Sequence, residues 1–167
     1  NPGEVTTDKL KDFISIGANR LSLGFQTFDE NLLSFLGRLH SPKDCMNTYN
    51  NARKAGFENI NADLIFDIPG QTMERWRNDL AKLVNLDPEH ISTYSLTVEE
   101  QTQLFKLVKS KKVVMPSELI DIDMYTYTLE FLKILCLTFW PGTILSVVLT
   151  SIILSLYGLL FISKFKE

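Results

Sequence analysis

Gln26, Arg38 and Asp63 are polar residues placed where a fold could put them to chemical use. Gln26 directly follows the apolar run "LSLGF", so its amide offers two donors and an acceptor at a predicted strand end, for a ligand or for loop backbone. Arg38 follows Gly37, a helix stop, and its guanidinium can clamp a carboxylate bidentately or lie solvated. Asp63 lies in "NADLIFDIPGQT", beside Leu64, Ile65 and Phe66, where a carboxylate without partners is costly. It either caps backbone, pairs with an arginine, or meets a ligand at a strand end. Asp67 shares its strand parity, but at roughly 13 Å the two lie beyond the separation of a glycosidase pair, about 9.5 Å at most. His40 and His90 are the only histidines and have no Cys or His neighbour in sequence, which argues against metal ligation. Glu99 and Glu100 read as a solvated loop rather than a catalytic pair, and no Ser/His/Asp arrangement is present.

The elements that would position these residues alternate. "TTDKLKDFISIGA" is an amphipathic helix with a threonine N-cap and Gly17 at its end. Asn19–Phe25 predicts a strand, and "DENLLSFLG" a short helix from cap Asp29 to Gly37. Ser41 as N-cap, Pro42 at the first helical position and Gly56 past the end bound a further helix. "ENINADLIF" predicts a second strand, Thr72 opens a helix, and "EHISTYSLTV" predicts a third strand. Two more helices are predicted over Gln101–Lys111 and Ser117–Lys133. Strands separated by helices of this length indicate βαβ units and a parallel sheet. Three successive units favour part of a (β/α) barrel over a doubly wound sheet, which stays open. No GxGxxG or P-loop supports nucleotide binding of the Rossmann kind. In such folds ligands meet the loops after the strands: "GFQTF", "IPGQ" and "SLTVEE".

The 167 residues are one domain's worth of chain, and a net charge of −3 without a basic stripe argues against nucleic acid as a partner. Cys45 and Cys136 lie far apart, so a disulfide framework or zinc site is not expected and a reducing compartment fits. The chain opens "NPGEVTT" with neither a Met nor a signal-peptide pattern, as if entered in mid-domain. Ile134–Ser163 carries no charge, and Gly142–Ile162 has the length of a bilayer-spanning helix, roughly 20 apolar residues. Lys133, Lys164 and Lys166 flank it, so a membrane anchor is one expectation. The other is sequence foreign to the domain, frame-shifted or intron-derived.

Four motifs carry a resemblance. Gly24–Phe28 reads G-hydrophobic-Q-[ST]-F, Gly37–His40 reads GR-x-H, Asp63–Gln71 reads DLI-x-x-[LI]-P-x-Q, and Leu96–Glu99 reads L-T-hydrophobic-E. In this order and spacing they resemble the radical S-adenosylmethionine (SAM) family. Within it they resemble the branch of HemW-like haem chaperones and oxygen-independent coproporphyrinogen III oxidases, with GR-x-H and L-T-V-E closer to the chaperones. Asn1–Gly3 resembles the end of the family's E-x-N-P motif. The resemblance covers residue 1 to about Lys133, which it implies is the C-terminal half of a radical SAM core barrel, and 134–167 would be a hydrophobic tail.

The resemblance implies that Gln26, Arg38 and Asp63 contact SAM, with Arg38 on its carboxylate, and that Thr97 lies near a further, mostly backbone contact. The parent protein would hold a [4Fe–4S] cluster, SAM and haem, and act in haem delivery or porphyrin metabolism, with SAM, haem or porphyrin and a haem-acceptor protein as partners. Its expected place is the cytoplasm, a mitochondrion in a eukaryote, or a membrane if the tail anchors it. The family's CxxxCxxC motif is absent from these residues, so no catalytic or metal-ligating residue is assigned and these residues alone are expected to be inactive. Asp67 stands where the family usually has Gly, a change that suits a backbone without positive φ. The family's "YEISNF" strand and HN-x-x-YW motif do not follow "MYTYTLEFLK". The alternative reading is a membrane-anchored, catalytically silent binding module; an unrelated parallel-barrel enzyme is a third.

Overall fold

Three stretches that alternate apolar and polar residues form the strands β1 (Arg20–Gln26), β2 (Asn59–Phe66) and β3 (His90–Ser95) in this computed structural model, which describes residues 1–139, with side chains through 134. They pair in parallel in the order β1-β2-β3. Parallel neighbours need long crossovers, and helices supply them here: α2 (Glu30–Phe35) and α3 (Pro42–Ala55) between β1 and β2, then α4 (Met73–Val84) between β2 and β3. α1 (Thr7–Ser15) precedes the sheet, and α5 (Gln103–Lys109) and α6 (Glu118–Phe139) follow it. The predicted caps form: Thr6, Asp29, Ser41 and Thr72 accept first-turn N–H groups, and Ser41 makes a reciprocal capping box with Asp44.

Strand alternation sorts the sheet into two unlike faces. Leu23 and Phe25 of β1 and Ile60, Ala62, Leu64 and Phe66 of β2 are buried, and α3 packs on β1 as α4 packs on β2. Tyr49 meets Phe25 edge-on at 6.5 Å and Trp76 lies 5.3 Å from Phe66, ring centre to ring centre. Each such side chain contributes about 1.5–3 kcal/mol by leaving water. The intervening residues, Ser22, Gly24, Asn61, Asp63, His90 and Ser92, share the opposite face. The second face is polar along most of its length, with Ile65 and Tyr94 at its C-terminal end.

The N-terminal ends of the strands are tied by Arg53. Its guanidinium donates to the Phe57, Glu58 and Asp87 carbonyls and pairs with Glu89 at 2.8 Å, while Glu89 accepts the Ile60 N–H. Burial alone would raise the Glu89 carboxyl, but the bonds from Arg53 and Ile60 outweigh it and hold it below its usual range.

Some details differ from the sequence reading. β3 stops at Ser95, because its neighbour turns away: Asp67 follows β2 at φ +62, and only the Leu96 N–H still reaches the Phe66 carbonyl. Asp67 is thus off the strand, so it does not share a face with Asp63 by strand parity, and its backbone does occupy the left-handed region. α6 continues past Lys133 to Phe139, since residues 134–139 include no Gly or Pro. Gly142–Ile162, the predicted apolar helix, lies outside the described residues. Among the described residues no helix is long and apolar enough to cross a membrane. The chain divides into two compact units, Asn1–Thr126 and Tyr127–Glu167. The first holds the whole sheet, and in the second Tyr127 stacks on Phe131 along α6.

Candidate ligand site

On the polar face the register sets Ser22, Asn61 and His90 in one row and Gly24, Asp63 and Ser92 in the next. Side chains in adjacent rows meet. Asn61 Nδ2 donates to Ser22 Oγ at 2.8 Å and to Asp63 Oδ1 at 2.6 Å, and Ser22 Oγ donates to Asp63 Oδ2 at 3.3 Å. Asn61 Oδ1 accepts from Ser92 Oγ at 3.1 Å and faces His90 Nδ1. Burial, and next the Arg20 charge, hold the His90 imidazole below its ordinary range, with Asp63 opposing them. Each Asp63 oxygen therefore has one donor, and the carboxylate, half-buried, keeps lone pairs for a hydroxyl or amine. The carboxylate amid apolar residues is satisfied in part by its own strand pair.

Gln26 is placed by a strained turn. Its φ is +68, and the Thr27 N–H closes a three-residue turn on the Phe25 carbonyl at 2.8 Å, the γ-turn arrangement. A non-glycine residue at such φ costs on the order of 1–3 kcal/mol and persists only where its surroundings hold it. Here they do. Asp79 of α4, 1% exposed, accepts Thr27 Oγ–H at 2.6 Å and Phe28 N–H at 3.0 Å, and His40 Nε2 donates to the Phe25 carbonyl at 3.3 Å. Burial pushes the Asp79 carboxyl up, against the bonds from Thr27 and Phe28 that favour its ionised form. The turn also bulges the β1–β2 ladder between Gly24 and Gln26. The Gln26 amide folds back over Gly24, where a Cβ would come within 2.6 Å of Nε2, so glycine leaves the amide its place. Among the described residues that amide has no hydrogen-bond partner, loop backbone included. Asp79 and His40, which hold the turn, were not assigned this role from sequence; the signal was a buried-face acid in an amphipathic helix.

Gln26 and Asp63 are thus brought to neighbouring strands. Arg38, in the loop after α2, is exposed beside a hollow of about 370 Å³ lined by Pro2, Gly3, Glu4, Leu39, His40 and Asp44, and Gln26, Asp63 and Thr97 do not line that hollow. No carboxylate pairs with Arg38 among the described residues. Thr97 is exposed past the end of β3, its hydroxyl 3.4 Å from Glu99. Asp67, only 9% exposed, has a buried Oδ1 without a partner among the described residues. Burial, then the Asp121 charge, pushes its carboxyl up to about 6. Sequence reading missed Asn61, Ser22, His90 and Ser92, although their alternation with buried apolar residues marks them as one face.

The donor set suits a polar organic ligand better than a metal. Among the described residues no group of three His, Cys, Asp or Glu side chains is placed to hold an ion. Cys45 is fully buried, and burial, with the Asp44 charge adding, pushes its thiol up to about 12, so it offers no thiolate.

The sequence profile of the Radical SAM superfamily matches residues 1–83. The chain is 40% identical over 125 residues to the haem chaperone HemW of Bacillus subtilis, covering 75% of this chain and 33% of that protein. It is 38% identical over 125 residues to the mitochondrial radical S-adenosyl methionine domain-containing protein 1 of Danio rerio, covering 75% of this chain and 28% of that protein. The structure of the coproporphyrinogen III oxidase HemN of Escherichia coli, a radical SAM enzyme, superposes with a TM-score of 0.67 at 27% identity, over 79% of this chain and 30% of that one. The chain spans about a third of the length of the curated relatives it matches.

Proposed function

The chain belongs to the radical SAM superfamily, and from that premise we propose that the polar face of its sheet is the SAM-binding wall of a HemW-like protein. In this reading Gln26 and Asp63 are its ligand residues on the sheet, and Arg38 and Thr97, in the loops after α2 and β3, are further contacts beyond it. The observation that carries it is the pairing of Asp63, with lone pairs to spare, and an unpartnered Gln26 amide on adjacent strands. SAM, when bound, brings a ribose diol, an amino-acid carboxylate, an adenine and a sulfonium cation. Asp63 suits the diol, since a carboxylate accepts from hydroxyls, and the free Gln26 amide suits a group that both donates and accepts. Arg38 suits the carboxylate, as a planar fork without a competing carboxylate among the described residues. Thr97, at the exposed end of β3, is offered as the lesser contact.

A [4Fe–4S] cluster does not fit these residues. Clusters are held by several thiolates, and Cys45, the cysteine among the described side chains, is a buried thiol kept protonated, so these residues offer a cluster no attachment. Residues 1–133 are read as half of a (β/α) barrel, with the polar face as its inner wall; the one-sided burial of the sheet supports this. Haem delivery or porphyrin metabolism is proposed for the whole protein, with haem or porphyrin as ligand and a haem-acceptor protein as partner, on the names of the relatives alone. Nothing found supports the membrane-anchored module.

Isothermal titration of SAM into the full chain tests the reading. Binding in the micromolar range is expected, weakened at least tenfold by Asp63→Ala and by Arg38→Ala, each of which removes a charge-assisted contact worth about 1.5–3 kcal/mol. Absence of binding, or binding that both variants leave unchanged, would overturn it.

A further inference from the structure

The hydrogen bonds of the polar face run in one direction. Asn61 Nδ2 has two N–H groups, and both are used, on Ser22 Oγ and Asp63 Oδ1. Ser22, having accepted, turns its own O–H toward Asp63 Oδ2. Turning the Asn61 amide over would set its oxygen against the Asp63 carboxylate, acceptor against acceptor, so the carboxylate fixes the amide's orientation. Asn61 Oδ1 then meets only donors: the Ser92 hydroxyl, and His90 Nδ1, which must carry a proton to face it. Asn61 is 3% exposed, so water does not substitute for a lost partner at little cost.

We propose that His90 and Asn61 are positioning residues for the ligand-binding carboxylate: a relay from His90 Nδ1–H through Asn61 to Asp63 fixes the Asp63 rotamer from the neighbouring strand. This rests on the reading that Asp63 meets SAM. The relay tolerates acid. The charged groups facing His90 are Arg20 on β1 and Asp63 on β2, and protonation adds a hydrogen at Nε2 while Nδ1 keeps its own. The direction of every bond in the relay is thereby the same for neutral and cationic imidazole. A histidine serving only to fill space would need no particular tautomer.

The test combines nitrogen-15 NMR of the imidazole in the full chain with titration of SAM into His90→Ala and His90→Asn. The expected spectrum shows neutral His90 protonated at Nδ1, with the Nε2 signal moving far more than the Nδ1 signal between pH 8 and pH 5. Loss of the donor in His90→Ala is expected to weaken SAM about tenfold. His90→Asn, which restores an N–H, is expected to bind within about threefold of the parent, although both variants melt at similar temperatures. An Nε2–H tautomer, equal weakening in the two variants, or undiminished binding by His90→Ala would overturn the relay. If the parent chain binds no SAM, the functional proposal fails by itself. The relay is then decided by the tautomer and by Asn61→Ala, which should abolish the Nδ1–H preference.

Discussion

Asp67 is the residue whose environment departs furthest from what its type prefers: left-handed backbone, a buried oxygen without a described partner, and Asp121 nearby. Its carboxyl is raised from 3.8 to about 6 in the fold, so between those values the folded chain holds a proton that the unfolded chain has released. Stability therefore falls as pH rises through that window, and the penalty, up to about 3 kcal/mol, is fully present above it. Asp67→Asn should remove this slope, and Asp67→Gly should also relieve the positive φ, which costs about 1 kcal/mol or more for a non-glycine residue. Urea unfolding of the full chain at pH 4 and pH 8 checks both: the parent should lose stability at the higher pH from this group and the variants should not. A parent and an Asp67→Asn variant with parallel pH profiles would contradict the assignment. The sequence showed that an acid stood in a place suited to glycine, but not that the backbone there is left-handed.

At the scale of elements, the strand-to-helix turn after β1 depends on a helix far along the chain. Asp79 on α4 receives both the Thr27 hydroxyl and the Phe28 N–H, next to the strained Gln26. Asp79→Ala leaves two buried donors unpaired at about 1–3 kcal/mol each, and it frees the turn that aims Gln26. The expected outcome is a loss of about 2–4 kcal/mol in denaturant unfolding, together with weaker SAM binding in the fraction still folded. Asp79→Asn should recover part of the stability, because its carbonyl can accept one donor while its amide nitrogen faces the other. Equal effects of the two changes would mean that burial, and not bonding, sets the role of Asp79. Helix existence and caps were legible because Thr6, Asp29, Ser41 and Thr72 act locally. The Asp79 clamp was not, since the partners are 51 and 52 residues apart.

For the whole molecule, the consequence lies in the sheet's edges. Among the described residues β1 and β3 each pair on one side only, and Tyr94 on β3 is 55% exposed. Unpaired parallel edges beside exposed apolar surface template association with other copies. Residues 1–133 expressed alone should therefore be poorly soluble and elute as heterogeneous oligomers in size-exclusion chromatography with light scattering. A monodisperse monomer with a cooperative melt would show that the edges are protected. By itself the sequence determined the order of strands and helices, the parallel sheet and the family, because periodicity, capping residues and short motifs are local or ordered along the chain. It also marked Gln26, Arg38, Asp63 and Thr97, which the resemblance groups around one ligand. Tertiary structure decided the bulge at Gln26 that folds its amide over Gly24, the register partner of Asp63, and the hollow that Arg38 borders. It likewise decided that Asn61, Ser22 and His90 hold Asp63, because strand register, not sequence distance, sets which side chains meet across a sheet.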